Sequence, residues 1–452
     1  MFSPPHRVTL MLAVLATIIA GTLGLLLKLP CAGSNFGNVN LVLEKACNSD
    51  VTSLWFARGL GQHLFPYSGG FDAATGTLTP GVVEYPTLTG VFIWLTSLLA
   101  TTDLEFLAAS AVVLILASVA ITVLLWRMAP SRVWLWAAAP ATALYTTYNW
   151  DVLPVLCTTA ALVLARPAHG VPPTAVRLLG VGVLLGLGGA FKLYPLIFLA
   201  PLILWILLDK VFDAPAVRRW RLAISTALAA GITILVANVP FIIVNADGWL
   251  AAFQFQSLRV IDATTFSVWH WIVSPFVDTS TPDGQHSLML ASTIATALAI
   301  IGVLVGAVVR GLRARSIPWV GLCATLLCAY MLLNKVNSPQ YILWLLPFLV
   351  IVQVRLRWVL LYFVADLAIF FGWFRFNFYA ITGNPGMAEL FHNLFVVGLA
   401  GRIALLVAFA VMLPRTALVA SAPVNRIVGD GLASAPPHGA VSTETIAHSP
   451  TR

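Results

Sequence analysis

Unbroken apolar runs limit this chain more than any other feature. They recur from Val8 to Leu413. Several, at roughly 18 to 23 residues, are long enough to cross a hydrocarbon core of ~30 Å as helices. The runs are continuous rather than alternating, which excludes a membrane barrel. Only 9% of the residues are charged and 60% are hydrophobic, whereas soluble domains carry about 25% charged residues. The expected fold is all-α and polytopic.

Candidate spans are 8–29, 104–126, 133–148, 150–165, 176–191, 193–208, 222–245, 288–309, 317–333, 340–354, 357–374 and 391–413. Segment 86–101 is short and follows Glu84-Tyr85-Pro86. If it dips into the membrane or lies at its interface, every basic loop falls on one side. These loops are 127–132, 166–177, 210–221, 310–315 and 355–357, together with Arg7 and the region beyond Arg415. Excess Lys and Arg mark cytoplasmic loops, so both termini are expected in the cytoplasm. The chain then reads as about twelve transmembrane helices, a short re-entrant or interfacial segment and a large first outer loop, 30–103. A domain of residues 1–413 precedes a tail, 414–452, rich in Pro, Ala, Ser and Thr and expected to be disordered and cytoplasmic.

The formal charge of +8 reflects those basic loops and calls for no nucleic acid. The composition, rich in Ala, Leu, Val and Arg and poor in Lys, points weakly to a GC-rich bacterium. The first apolar run exceeds the usual 7–15 residues of a signal-peptide core. Lys28-Leu29-Pro30 before Cys31 does not suit a lipoprotein site, so a retained first span is expected. Cys157, Cys323 and Cys328 fall in apolar segments and read as buried residues. Cys31 and Cys47 share the first outer loop and could pair in an oxidising exterior. No Cys/His spacing suits a metal. No cofactor is expected; a divalent metal is not indicated.

Few acids occur, and Asp50 stands out just past the first span. It precedes Val51 to Arg58, a plausible amphipathic helix. There an acid serves either as an N-cap or as a general base for an attacking hydroxyl. Outer-face cations are Arg58, Lys192, Arg259, Lys335 and Arg375. Lys192 and Lys335 end spans on the side opposite the basic loops, where a cation either snorkels or holds a lipid phosphate. Glu84 and Asp151 serve either as partners for sugar hydroxyls or as counter-ions. His270, between Trp269 and Trp271, either touches sugar or packs at the interface. Arg402 sits mid-span and needs a partner or a water-filled cavity.

These residues lie in short motifs. They are Asn48-Ser49-Asp50 with Arg58-Gly59-Leu60, Pro66-Tyr67, Glu84-Tyr85-Pro86-Thr87-Leu88-Thr89-Gly90, Asn149-Trp150-Asp151, Lys192-Leu193-Tyr194-Pro195, and Ser338-Pro339-Gln340-Tyr341 with Trp344. In order and side, they resemble the GT-C glycosyltransferases, in particular the actinobacterial branch of glycosyltransferase family 87, which uses polyprenyl-phosphate-mannose. The resemblance covers roughly residues 1–413. It implies that Asp50 is the catalytic base. GT-C enzymes often carry an acidic pair in this loop; here Asn48 stands two before Asp50, which weakens the case for a metal. The donor phosphate is then expected on Lys192, Lys335, Arg259 or Arg58. Glu84, Tyr85, Asp151, His270, Gln340 and Tyr341 are candidates for sugar or acceptor binding.

The expected activity is inverting transfer of mannose from a polyprenyl-phosphate donor to a cell-envelope glycolipid or glycan, at the outer face of the plasma membrane. The bilayer is the other expected partner. Two alternatives stay open: the same fold using polyprenyl-phosphate arabinofuranose, and a solute transporter or lipid flippase. A non-catalytic envelope scaffold is a third.

Overall fold

The computed structural model describes residues 4–33, 37–168 and 170–419. Helices dominate. The first outer loop follows α1 (Pro4–Lys28) and holds α2 (Val39–Lys45), α3 (Asp50–Ala57), a hairpin of β1 (Phe71–Asp72) and β2 (Thr77–Leu78), and α4 (Thr87–Ser97). Then come α5 (Asp103–Met128), α6 (Trp134–Ala137), α7 (Pro140–Tyr145), α8 (Val152–Ala165), α9 (Ala175–Phe191) and α10 (Leu199–Leu208). The chain continues through α11 (Ala216–Val244), α12 (Ala246–Leu258), α13 (Pro282–Ala314), α14 (Trp319–Leu333), α15 (Ile342–Ile351), α16 (Leu356–Ile381) and α17 (Pro385–Met412).

Among the described residues, six helices are long and apolar enough to cross a membrane: α1, α5, α11, α13, α16 and α17. The other expected spans are shorter. Segment 133–148, read as one span, is broken into α6 and α7. Ala139 precedes Pro140 and is extended (φ −69°, ψ 139°), because a residue before proline is driven out of the helical region. The spans expected at 193–208 and 340–354 each open with a proline-containing 3-10 turn, Tyr194–Phe198 and Pro339–Tyr341. The short α15 is surrounded by protein rather than lipid: every one of its residues is buried. Backbone groups at membrane depth are tolerated when they are satisfied inside protein. By contrast, α11 and α13 turn rows of leucine, isoleucine and valine outward, as lipid-facing helices do.

Hydrogen bonds fix which ends lie together. The Thr17 and Thr122 hydroxyls are 2.7 Å apart, and the Gly33 N–H donates to Asp103 Oδ2 at 2.8 Å. Helices α1 and α5 are therefore antiparallel, with the end of α1 beside the start of α5. The Asp50 N–H donates to the Tyr148 carbonyl at 2.9 Å, and Lys192 pairs with Asp151. The start of α8 and the end of α9 thus join this Asp50 end. Helix α4 begins here too, because Thr89 Oγ1 donates to the Phe191 carbonyl at 2.7 Å. Its 11 residues span about 16 Å, and α5 restarts at Asp103 beside Gly33. Segment 86–101 therefore forms a helix shorter than the six long spans, between two chain points that both lie at the Asp50 end.

The basic loops collect at the opposite end, where arginines cap helix termini. Arg132 donates to the Leu349 and Val354 carbonyls, both at 2.8 Å, and Arg219 donates to Leu207 at 2.7 Å. Cations suit the carbonyl end of a helix dipole. Residues past Met412 stay in register for a short distance: the Val419 N–H donates to the Ile351 carbonyl at 2.8 Å. The remainder of the expected disordered tail, 420–452, lies outside the described residues.

Two further links brace the Asp50 end. Cys31 and Cys47, whose pairing the sequence left open, are disulfide-bonded, and both are fully buried. Arg402, mid-way along α17 and fully buried, finds its partners across the bundle. Its Nη2 donates to Asn337 Oδ1 at 3.0 Å and to the Ser338 carbonyl at 2.9 Å, while Nη1 lies 3.8 Å from Asp366 Oδ1. The arginine thereby anchors the loop that carries Gln340 and Tyr341.

Candidate active site

A cavity of about 730 Å³ opens at the Asp50 end. Asp50, Glu84, Tyr85, Lys192, Arg259, Lys335, Gln340 and Tyr341 all line it. They come from five separate stretches of chain. Three expected site residues stand elsewhere, for three different reasons.

Asp50 is the first residue of α3, not its cap. Ser49 takes the N-cap position, and its side chain accepts from the Val51 N–H at 3.2 Å. The capping alternative for Asp50 is thereby corrected. The Asp50 carboxylate is held instead by Tyr85, whose hydroxyl donates to Oδ2 at 2.7 Å. Oδ1 takes no hydrogen bond among the described residues. Burial pushes the Asp50 carboxyl up to about 6; the Tyr85 hydrogen bond and the Lys192 charge pull it back down, while the charges of Glu84 and Asp151 raise it. Near neutral pH the group is therefore ionised yet basic enough to take a proton, the condition for general-base work. Asn48 does not line the cavity; its Nδ2 donates to Tyr148 Oη at 3.1 Å.

Lys192 sits in an aromatic box. Its ammonium is 5.6, 5.3 and 5.0 Å from the ring centres of Tyr85, Tyr341 and Trp344, and it is ion-paired to Asp151. Asp151, 1% exposed, lies behind Lys192 and does not line the cavity. The counter-ion alternative thus describes its place better than the sugar-ligand one. Arg58 is taken up by Glu84 through two bonds, Nε to Oε2 at 2.8 Å and Nη2 to Oε1 at 3.2 Å; it braces Glu84 from outside the cavity. His270 stands off the cavity, with its ring 5.1 Å from that of Trp271. Burial lowers its affinity for a proton. The packing alternative fits that position.

Arg259 and Lys335 differ in what they touch. Lys335 donates to three backbone carbonyls, those of Gln256, Ser257 and Arg259, at 2.9, 3.0 and 3.0 Å. The Arg259 guanidinium makes no hydrogen bond or ion pair among the described residues.

Sequence reasoning passed over part of the lining. Trp344 stacks between Tyr341 (ring centres 3.8 Å apart) and Tyr194 (4.3 Å), making a run of three stacked rings in the cavity wall. Gln256, Tyr330, Asn334 and Ser338 add polar groups to the walls. Tyr194 belongs to the Lys192-Leu193-Tyr194-Pro195 motif, and Trp344 accompanies Ser338-Pro339-Gln340-Tyr341. Gln256 gave no signal, because it reaches the cavity only through the packing of α12.

A carboxylate of raised proton affinity, a guanidinium without a hydrogen-bond partner among the described residues, and stacked rings thus gather at one end of a helical membrane bundle. The chain belongs to the PIG-M mannosyltransferase family: the model for "Mannosyltransferase (PIG-M)" matches residues 151–379. It is a membrane mannosyltransferase. The matched stretch includes Lys192, Arg259, Lys335, Gln340 and Tyr341, and begins after Asp50, Glu84 and Tyr85. The match favours the enzyme over the transporter and scaffold alternatives. No curated protein sequence matches the chain.

Proposed function

We propose that this protein transfers mannose from a polyprenyl-phosphate donor to a glycolipid or glycan of the cell envelope, in the manner of family 87. One observation carries the reading. A single cavity holds both a carboxylate of raised proton affinity and two cations, Arg259 and Lys335, that have no carboxylate partner among the described residues. Such a site suits an acceptor hydroxyl at one side and a phosphate at the other.

Asp50 Oδ1 takes the proton of the acceptor hydroxyl. The acceptor oxygen bonds to the anomeric carbon as the bond from that carbon to the phosphate oxygen breaks, inverting the centre. The electron pair leaves with polyprenyl phosphate, and Arg259 meets the charge that grows on it, where fixed donors help most. The box of Tyr85, Tyr341 and Trp344 around Lys192 forms the wall for the sugar. The basic loops mark the opposite end as cytoplasmic, so the cavity faces outward and the prenyl chain enters from the outer leaflet of the plasma membrane. In this arrangement the short buried helices complete a bundle of about twelve crossing segments.

The test is transfer of radiolabel from polyprenyl-phosphomannose to an envelope glycolipid fraction by the purified protein. Asp50→Asn should lower the rate by at least about 100-fold, the lower range for loss of a general base, with the melting temperature preserved. Undiminished transfer would remove Asp50 as the base; transfer from polyprenyl-phosphoarabinofuranose alone would change the sugar.

A further inference from the structure

Helix α12 lies across the Asp50 end between two polar clamps. At its start, Asn245 Oδ1 accepts from the Gly248 N–H at 3.1 Å, and Asn245 Nδ2 donates to the carbonyls of Tyr67, Ser68 and Gly69 at 3.1, 3.1 and 2.9 Å. The approach is close enough that a Cβ at Gly248 would come 2.0 Å from the Tyr67 carbonyl oxygen. At its finish, Lys335 binds the three carbonyls already described. An ammonium has three protons, so the clamp uses all of them. The carbonyl end of a helix carries partial negative charge, and Lys335 neutralises it where it faces the cavity.

Arg259 is the residue that ends α12. Its backbone carbonyl is one of the three that Lys335 holds, while its guanidinium lines the cavity with no hydrogen bond or ion pair among the described residues. The two cations are near neighbours, for burial and the charge of Arg259 together hold the Lys335 ammonium below its usual range. Gln256 ties the same turn to the opposite wall, its Nε2 donating to the Glu84 carbonyl at 3.1 Å.

We propose that Lys335 is a positioning residue: it clamps the last turn of α12 so that Arg259, and not Lys335, makes the contact to the phosphate of a lipid-phosphate ligand. This rests on the phosphate reading above. Without the clamp, the Arg259 backbone loses its anchor, and the bare carbonyls of α12 turn partial negative charge toward an anion.

The experiment is a double-mutant cycle on the affinity of the purified full chain for farnesyl phosphate, with farnesol as the control lacking the phosphate. Arg259→Met should weaken farnesyl phosphate at least about 30-fold, the scale for truncating one partner of a desolvated charge pair. Lys335→Met should weaken it comparably. Because one residue acts through the other, the double variant should fall within about twofold of Arg259→Met, the scatter within which independent effects would otherwise add. Lys335→Arg keeps a cation with several donors and should recover most of the loss; it serves as the test variant if Lys335→Met does not fold. Two independent phosphate ligands would instead multiply their effects, to about 1000-fold in the double variant. That result, or full affinity in Lys335→Met, overturns the positioning role. If farnesyl phosphate binds no tighter than farnesol, or Arg259→Met binds it as wild type does, the phosphate reading itself falls.

Discussion

Replacing Tyr85 with phenylalanine removes one hydroxyl from the cavity wall and leaves the ring in place. That ring still packs edge-on against Trp150, with centres 5.1 Å apart, and still forms one side of the Lys192 box. What goes is the 2.7 Å hydrogen bond to Asp50 Oδ2. A hydrogen bond to a charged group contributes about 1.5–3 kcal/mol, and the partly exposed position of Asp50 argues for the low end. One pKa unit corresponds to about 1.4 kcal/mol. The bond favours the ionised carboxylate, so its loss raises the Asp50 value by roughly one unit, from about 6 to about 7. A base must be ionised to act, so the acid limb of the pH profile moves up by the same amount. At pH 6 the ionised fraction drops from a half to about one tenth, and kcat/KM should fall about fivefold; above pH 8.5 the variant and wild type should converge. The assay is initial-rate transfer from polyprenyl-phosphomannose between pH 5 and 9. If Tyr85 serves as a sugar ligand instead, the variant raises KM equally at every pH and the limb stays where it was. That outcome would refute the assignment of Tyr85 as the residue that orients Asp50.

Three other outcomes are expected. A cysteine placed at Thr102 should react with a membrane-impermeant thiol reagent added from the side that labels the Asp50 loop, because α4 begins at that end and Asp103, at the start of α5, lies beside Gly33 there; labelling from the basic-loop side would make 86–101 a crossing segment. Arg402→Leu leaves Asp366 and Asn337 without their buried partner, and should destabilise the fold by about 3–5 kcal/mol in chemical or thermal unfolding; a loss under 1 kcal/mol would show that the buried network is not what anchors the 337–341 loop. Cys31→Ser opens a bridge between residues 16 apart in sequence and should cost about 3 kcal/mol of stability, read as a lower melting temperature that reductant reproduces in the wild type and not in the variant.

Much of the candidate site was legible because membrane proteins keep few charged residues. With only 17 acids in the whole chain, Asp50, Glu84 and Asp151 stand out where they sit beside amide and aromatic motifs near span ends, and Lys192 and Lys335 stand out by lying opposite the basic loops. What each does once there was not legible. Arg58 is close in sequence to cavity residues, yet it is taken up by Glu84 from outside, and Asp151 lies behind Lys192. Lys335 looked like Lys192 along the chain, but spends its three protons on the end of a helix that begins 89 residues earlier. Its partners are backbone carbonyls, which every residue carries, so no residue pattern could reveal them.

The same division holds for the whole molecule. Hydropathy and the placement of Lys and Arg determined, from sequence alone, that the chain is a helical membrane bundle with one basic end and one end gathering acids, amides and aromatics. Those properties follow from transfer energies of single residues and add along the chain. Only the tertiary structure decided which apolar segments face lipid and which are short and enclosed, that Ser49 rather than Asp50 caps α3, and that Tyr85 holds Asp50 while the Arg259 guanidinium lines the cavity with no hydrogen bond or ion pair among the described residues. These depend on contacts between segments 35 to more than 200 residues apart, set by how helices pack and where their ends fall, which no local stretch of sequence encodes.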